Sequence, residues 1–113
     1  MIFTAATDDK SLLVFSTAEN AIAYCEGIDV EAGGWLFWNE LGQALDPEFL
    51  TPNNRSRFSV SSGNYRLVPA PLKHSLAEAL VWLEAIETNP HFANLEAVRD
   101  YFSASVSLPQ HGA

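Results

Sequence analysis

Among the residue types that do chemistry, this sequence offers one cysteine and three histidines. Cys25 is its single thiol, and it lies on the apolar face of a predicted helix. That position predicts a core residue rather than a reactive nucleophile. The histidines, His74, His91 and His111, are scattered and do not show the spacing of a metal site, so we interpret all three as surface residues.

Two acids offer a second possible chemistry. Asp29 and Glu31 flank Val30 in a segment whose alternation predicts a strand, so both would project from one strand face. Paired carboxylates can do acid–base work where a cleft raises the pKa of one of them, or they can lie on a solvated face. The sequence has no nucleotide-binding glycine loop and no nucleophile elbow. We therefore expect no enzyme and no cofactor, and a small enzyme or ligand-binding domain is the least favoured alternative.

Two tryptophans favour binding over catalysis. Trp35 and Trp38 fall on opposite faces of one predicted strand, over 35–39. Helices on one side of a sheet cover one face only, so one of the two rings would stay near solvent. Tryptophan is over-represented among the residues that dominate binding energies. The alternative is that the first helix, or the loop over 48–56, covers that face within the chain.

The elements that would position these residues are a helix, a sheet and two further helices. Ser16 and Glu19 form a predicted capping box for a helix over 17–26, and Gly27 would end it. A second capping box, Ser75 with Glu78, predicts a helix that reaches residue 86, and Asn94 can cap a last helix. The predicted strands cover 12–15, 28–30, 35–39, 44–45, 57–61 and 64–68, the last two joined in a hairpin by Ser62-Gly63.

These elements predict an α+β fold. We expect an antiparallel four- or five-stranded sheet with an N-terminal helix and two C-terminal helices in two layers. Residues 1–113 would form a single globular domain, with fraying at 1–10 and 105–113. The composition of 48% hydrophobic and 18% charged residues argues against disorder, and no apolar run approaches the ~20 residues that span a bilayer. The first residues lack the pattern of a secretory signal, so we expect a cytoplasmic protein.

The charge limits the partners. Fourteen acids against six bases give a net charge of −8, and no lysine or arginine occurs from Ser11 to Asn54. Nucleic acid and anionic membranes are therefore poor partners, because binding them requires cations that offset phosphate charge. A basic protein would instead be steered toward an acidic face.

Half of the chain, residues 12–69, resembles a known class of proteins. The resemblance is to small acidic bacterial immunity proteins of polymorphic and contact-dependent growth inhibition toxin systems. It rests on the stretches AIAYCEGIDV (21–30), GWLFW (34–38), PEF (47–49), Pro52-Asn53 and SGNYRLVP (62–69). The resemblance implies a cytoplasmic inhibitor that binds a cognate toxin domain, often a basic nuclease, and that has no catalytic residues.

The sequence therefore predicts an immunity protein that neutralises a toxin through an acidic surface containing aromatic residues. The predicted partner-binding residues are Glu26, Asp29, Glu31, Trp35, Trp38, Glu40, Asp46 and Glu48. The free protein would be a monomer or a homodimer. The main alternative is a cytosolic homodimeric adaptor or regulatory domain that buries the aromatic sheet face against a second copy.

Overall fold

The computed structural model describes residues 1–55 and 60–107 of the protein. In these residues a six-stranded mixed sheet carries helices on both faces, and a separate pair of short strands adjoins it. The strands are Ile2–Ala6 (β1), Ser11–Phe15 (β2), Trp35–Asn39 (β3), Ala44–Phe49 (β4), Asn54–Arg55 (β5), Val60–Ser61 (β6), Tyr65–Pro69 (β7) and Ala85–Ile86 (β8). The helices are Ala18–Tyr24 (α1), Gly27–Glu31 (α2), Leu76–Ala79 (α3) and Leu95–Ser107 (α4).

The α+β class is confirmed, but the predicted sheet is wrong. The strand order is β7-β4-β3-β1-β2-β8, and the small sheet pairs β5 with β6. Neighbouring strands of the large sheet are antiparallel, except that β8 runs parallel to β2. The sheet is therefore mixed and has six strands, not four or five antiparallel ones.

The N-terminal segment, which we expected to fray, is the centre of the sheet. All five residues of β1 are buried, and β1 pairs along its whole length with both β2 and β3. A strand covered on both faces has no polar alternation, and this one has no preceding turn signal to mark it. For the C-terminus, α4 extends to Ser107, and residues 108–113 lie outside the described residues.

Helices cover both faces of the sheet, so the predicted two-layer arrangement is also wrong. On one face, which we call the α1 face, α1 and α2 bury a cluster of Ile2, Ala21, Cys25, Val30, Phe37 and Tyr65. On the opposite α4 face, the chain from Ala70 to α4 buries a larger cluster of Phe3, Ala5, Leu12, Val14, Trp38, Ala44, Ala70, Leu76, Ala79, Leu80, Leu83 and Val98. The first helix thus covers a tryptophan-bearing face within the chain, which was the alternative left open above.

The segment after α1 is helical where a strand was expected. Thr17, not Ser16, caps α1, because its Oγ1 accepts the Asn20 N–H at 3.1 Å. Gly27 does not end that helix but begins α2. A Cβ at this glycine would lie 2.8 Å from the Gly63 carbonyl oxygen, so the site requires a residue without a side chain.

Long-range pairing replaces the predicted hairpin between 57–61 and 64–68. The strand β7 pairs with β4, from Leu45 opposite Pro69 to Phe49 opposite Tyr65. The strand β6 pairs instead with β5, and residues 57–59 of the predicted hairpin lie outside the described residues. A hairpin signal reports only local turn chemistry, and here a more distant strand takes the partner position.

In the C-terminal region both predicted caps are confirmed, while one helix is much shorter than expected. Ser75 and Glu78 form a capping box, but α3 ends at Ala79, and β8 occupies residues predicted to be helical. The Oδ1 atom of Asn94 accepts the Ala97 N–H at 2.8 Å in the first turn of α4.

Candidate functional site

The large sheet splits between β3 and β4. Their ladder has two residue pairs, Phe37 with Leu45 and Trp38 with Ala44. Beyond this point β4 remains paired with β7 over five residues, and β3 remains paired with β1 back to Trp35. The two strands therefore separate in the middle of an otherwise continuous sheet.

Pro47 accounts for this separation. The Ala44 carbonyl accepts the Ala70 N–H, and the Leu50 N–H donates to the Asn64 carbonyl, so even-numbered positions of β4 direct their backbone groups toward β7. Backbone groups alternate sides along a strand, and Pro47 therefore faces β3. Proline has no N–H to donate to a ladder, so the β3–β4 ladder cannot continue past it.

A cleft of about 850 Å³ opens at the split, and we call it the β3–β4 cleft. Its lining comes from the α1 face, from the α4 face and from the segment before α3, so the cleft reaches both faces of the sheet. The cleft is lined by Val30, Glu31, Gly33, Trp35, Leu36, Phe37, Trp38, Ala44, Leu45, Asp46, Pro47, Phe49, Leu72, Lys73, His74, Ala79 and Trp82.

The three tryptophans of the cleft differ in how firmly they are held. Trp38 is 2% exposed, and its indole N–H donates to the His74 carbonyl at 2.9 Å. Trp35 is half-buried and packs edge-on against the Tyr24 ring with centroids 5.9 Å apart. Trp82 is 37% exposed and is the ring most accessible to a partner.

An apolar mouth, formed by Leu36, Leu72 and Trp82, borders the cleft. Leu72 is fully exposed at 100%, and the other two side chains are each 37% exposed. Large apolar side chains grouped on a surface mark an interaction site more often than single exposed ones do. Neither Leu72 nor Trp82 was predicted from the sequence to be a binding residue. A usable signal existed, because the predicted helix over 76–86 would have turned Trp82 toward solvent.

Two basic side chains, Lys73 and His74, occur among the described residues that line the cleft, and each bonds to a carboxylate. Lys73 Nζ lies 2.5 Å from Asp46 Oδ1, and His74 Nδ1 lies 2.7 Å from Glu78 Oε2. The hydrogen bond with His74, followed by the bond from the Ser75 backbone, lowers the pKa of Glu78. The acidic residues Glu31 and Asp46 also line the cleft, beside Lys73 and His74.

Four of the eight predicted partner-binding residues line this cleft, namely Glu31, Trp35, Trp38 and Asp46. The burial of Trp38 makes it a wall of the cleft rather than an anchor that a partner could surround.

The other four predicted residues do not line the cleft. Glu26 is the N-cap residue of α2, Asp29 is exposed on that helix, and Glu40 is exposed on the turn after β3. Glu48 is paired with Arg66, with 2.5 Å between Oε1 and Nη2. Asp29 and Glu31 share no strand face, since residues two apart on a helix point in different directions. The predicted carboxylate pair is therefore wrong.

The cysteine prediction is confirmed. Cys25 is fully buried, and burial, with a smaller effect from Asp29, raises the pKa of its thiol to about 12. The Tyr65 hydroxyl donates to the Cys25 carbonyl at 2.6 Å, and burial raises the pKa of that hydroxyl. A buried thiol of this kind is typical of a structural core cysteine.

The histidine prediction is confirmed where it is tested. His74 and His91 are exposed, and His91 Nε2 lies 3.1 Å from Ser16 Oγ, while His111 lies outside the described residues. Within residues 1–55 and 60–107, no three His, Cys, Asp or Glu side chains come together in a way that could hold a metal ion. Over the same ranges, no helix has the length and apolar character needed to cross a bilayer.

No protein-family model, curated protein sequence or solved structure matches this chain.

Proposed function

We propose that the protein is a cytoplasmic immunity protein that binds a cognate toxin domain and neutralises it. The observation that supports this proposal best is the β3–β4 cleft, in which an exposed apolar mouth adjoins aromatic walls and a lining that includes Glu31 and Asp46. Trp82 and Leu72 provide apolar area for a partner to bury, and tryptophan is enriched among residues that dominate interface energies.

The charge favours a basic partner, such as a nuclease domain with a cationic substrate groove. The net charge is −8, and Glu26, Asp29 and Glu40 stand exposed outside the cleft. Exposed acids at the rim of an interface mainly accelerate the association of a basic partner. The acidic protein would then occupy the cationic groups with which the toxin binds its own substrate, and the activity of the toxin would be blocked.

Toxin neutralisation in a heterologous bacterium tests the proposal. The C-terminal region of the large open reading frame beside the gene is expressed alone, with this protein, or with a Leu72→Ala/Trp82→Ala variant. We expect killing that the wild type reverses and the double variant does not. Val81→Ala is the matched control, because Val81 is 87% exposed but does not line the cleft. A harmless neighbour, or killing that the wild type leaves unchanged, would contradict the proposal.

The apolar mouth also favours a second candidate, a homodimeric adaptor without catalysis. A fully exposed Leu72 next to Leu36 and Trp82 could be covered by a second copy. Sedimentation equilibrium separates the two candidates. A mass that doubles with concentration, and that Leu72→Asp returns to the monomer value, favours the adaptor. A monomer at all concentrations favours the immunity protein.

A further inference from the structure

We propose that the β3–β4 cleft is a binding site for a guanidinium group, and specifically for an arginine side chain that a partner presents. The proposed function calls for a basic partner, and the guanidinium site specifies which basic side chain that partner presents. The site rests on the proposed function only for the partner's identity. Two features of the cleft support it, the aromatic walls and the carboxylates among them.

The aromatic walls suit a planar cation. Trp35 belongs to the α1 face and Trp38 to the α4 face, and Trp82 stands at the mouth, so rings border the cleft on more than one side. A guanidinium stacks on an indole face and is weakly hydrated, so it enters a tryptophan-lined cleft at lower cost than an ammonium does. The cleft therefore favours arginine over lysine.

The carboxylates suit the same group. Asp46 from β4 and Glu31 from α2 line the cleft together. Asp46 accepts from Lys73 through Oδ1, and a carboxylate has a second oxygen that can accept from another donor. A guanidinium presents five donors in a fixed fork, which matches carboxylate geometry.

The same charges disfavour an anionic ligand. Among the described residues that line the cleft, the basic side chains are Lys73 and His74, and each already bonds to a carboxylate, Asp46 and Glu78 respectively. An anion would have to displace one of these partners in a protein of net charge −8. The aliphatic stem of arginine, by contrast, can lie along the apolar mouth while its head reaches the carboxylates.

The test needs no toxin. The full chain, labelled with ¹⁵N, is titrated with a capped Gly-Arg-Gly peptide up to about 50 mM, a range that detects millimolar dissociation constants. Matched peptides carry lysine or citrulline, the neutral isostere of arginine. The indole N–H signals of Trp35, Trp38 and Trp82 report binding. We expect the arginine peptide to bind about tenfold more tightly than the citrulline peptide, with lysine in between.

Variants assign the effect to the cleft. Asp46→Asn removes a lining carboxylate and frees Lys73, so we expect arginine binding to fall about tenfold. Glu84→Gln, which removes an exposed acid that does not line the cleft, should leave binding unchanged. Each variant is compared with the wild type by its ¹⁵N spectrum, so a change in fold is detected directly.

The outcomes separate this inference from the proposed function. Equal shifts with arginine and citrulline, or no shift with either, would overturn the guanidinium site even if a toxin is neutralised. Arginine binding that depends on Asp46 would support the site even if no toxin is found. If the arginine and citrulline peptides bind equally well, and bind the wild type and Asp46→Asn equally well, the cleft is an apolar site only. That result would also overturn the inference.

Discussion

The two sides of β3 are joined to the sheet in different ways. On one side β3 pairs with β1 over five residues, from Asn39 opposite Ile2 to Trp35 opposite Ala6. On the other side it pairs with β4 over two residues and then separates from it at Pro47. On the closed side the ladder with β1 is unbroken, whereas on the open side one backbone N–H is missing, at Pro47. The candidate site thus arises from an interruption of the backbone ladder rather than from a cluster of reactive groups.

The largest expected effect is on the closed side. Phe3 lies on β1 opposite Trp38, is 0% exposed, and packs against the rings of Phe92 and Phe102. Phe3→Ala should lower the free energy of unfolding by about 3–5 kcal/mol, because it leaves a cavity in the larger core cluster. Urea denaturation measures this loss. A loss of unfolding free energy under about 1 kcal/mol would show that Phe3 on β1 contributes little to the stability of the core.

The open side should affect binding more than stability. Trp82→Ala is expected to weaken binding of the partner by about 2 kcal/mol, since the exposed ring stands at the mouth of the cleft. Val81→Ala, one residue away and outside the cleft, should change it by less than about 0.5 kcal/mol. Calorimetry of each variant with the proposed toxin partner measures the difference. Equal losses of binding free energy for the two variants would show that the cleft is not part of the interface.

Restoring the missing donor should partly close the split. Pro47→Ala supplies an N–H that faces β3, and we expect the ladder to extend toward Trp35 with a gain in stability of at most about 1 kcal/mol. Hydrogen exchange at the new residue 47 amide measures this directly. Exchange at the rate of an open loop would show that something other than the proline keeps the strands apart.

The smallest effect concerns the cap of α3, beside the cleft. The pKa of Glu78 is lowered from 4.5 by its bonds with His74 and Ser75, so its contribution to stability is complete above that value. This contribution is lost as the pH falls through the lower pKa of the folded state. The stability difference between wild type and Glu78→Gln should therefore shrink below about pH 4.5. A difference that grows with acidity would contradict the assignment.

Local signals in the sequence predicted part of this structure. The apolar runs gave β2 and β3, the capping box of Ser75 and Glu78 gave the start of α3, and helical spacing placed Cys25 in the core. Each of these depends on neighbours in the chain, where periodicity and capping chemistry are informative.

Features that depend on distant contacts were not predictable in the same way. The burial of β1 on both faces removed the alternation that marks a strand, and the alternation of Ile28 to Val30 suggested a strand where α2 forms. Pro47 was expected to end a strand, but it lies within β4 and ends only the pairing on one side. The sequence therefore predicted Trp35 and Asp46 as binding residues, but it did not predict the cleft that brings them together.

NMR mapping of the proposed partner on the ¹⁵N-labelled protein tests directly whether the β3–β4 cleft is the binding site. The proposed toxin partner is added to the full chain, and the shifts of the amide and indole N–H signals are followed. We expect the changes to concentrate on Glu31 to Leu36, on Asp46 and Pro47, and on Leu72 to Trp82. Changes confined to the outer strands β7 and β8, with the indole signals of Trp35 and Trp82 unmoved, would contradict it.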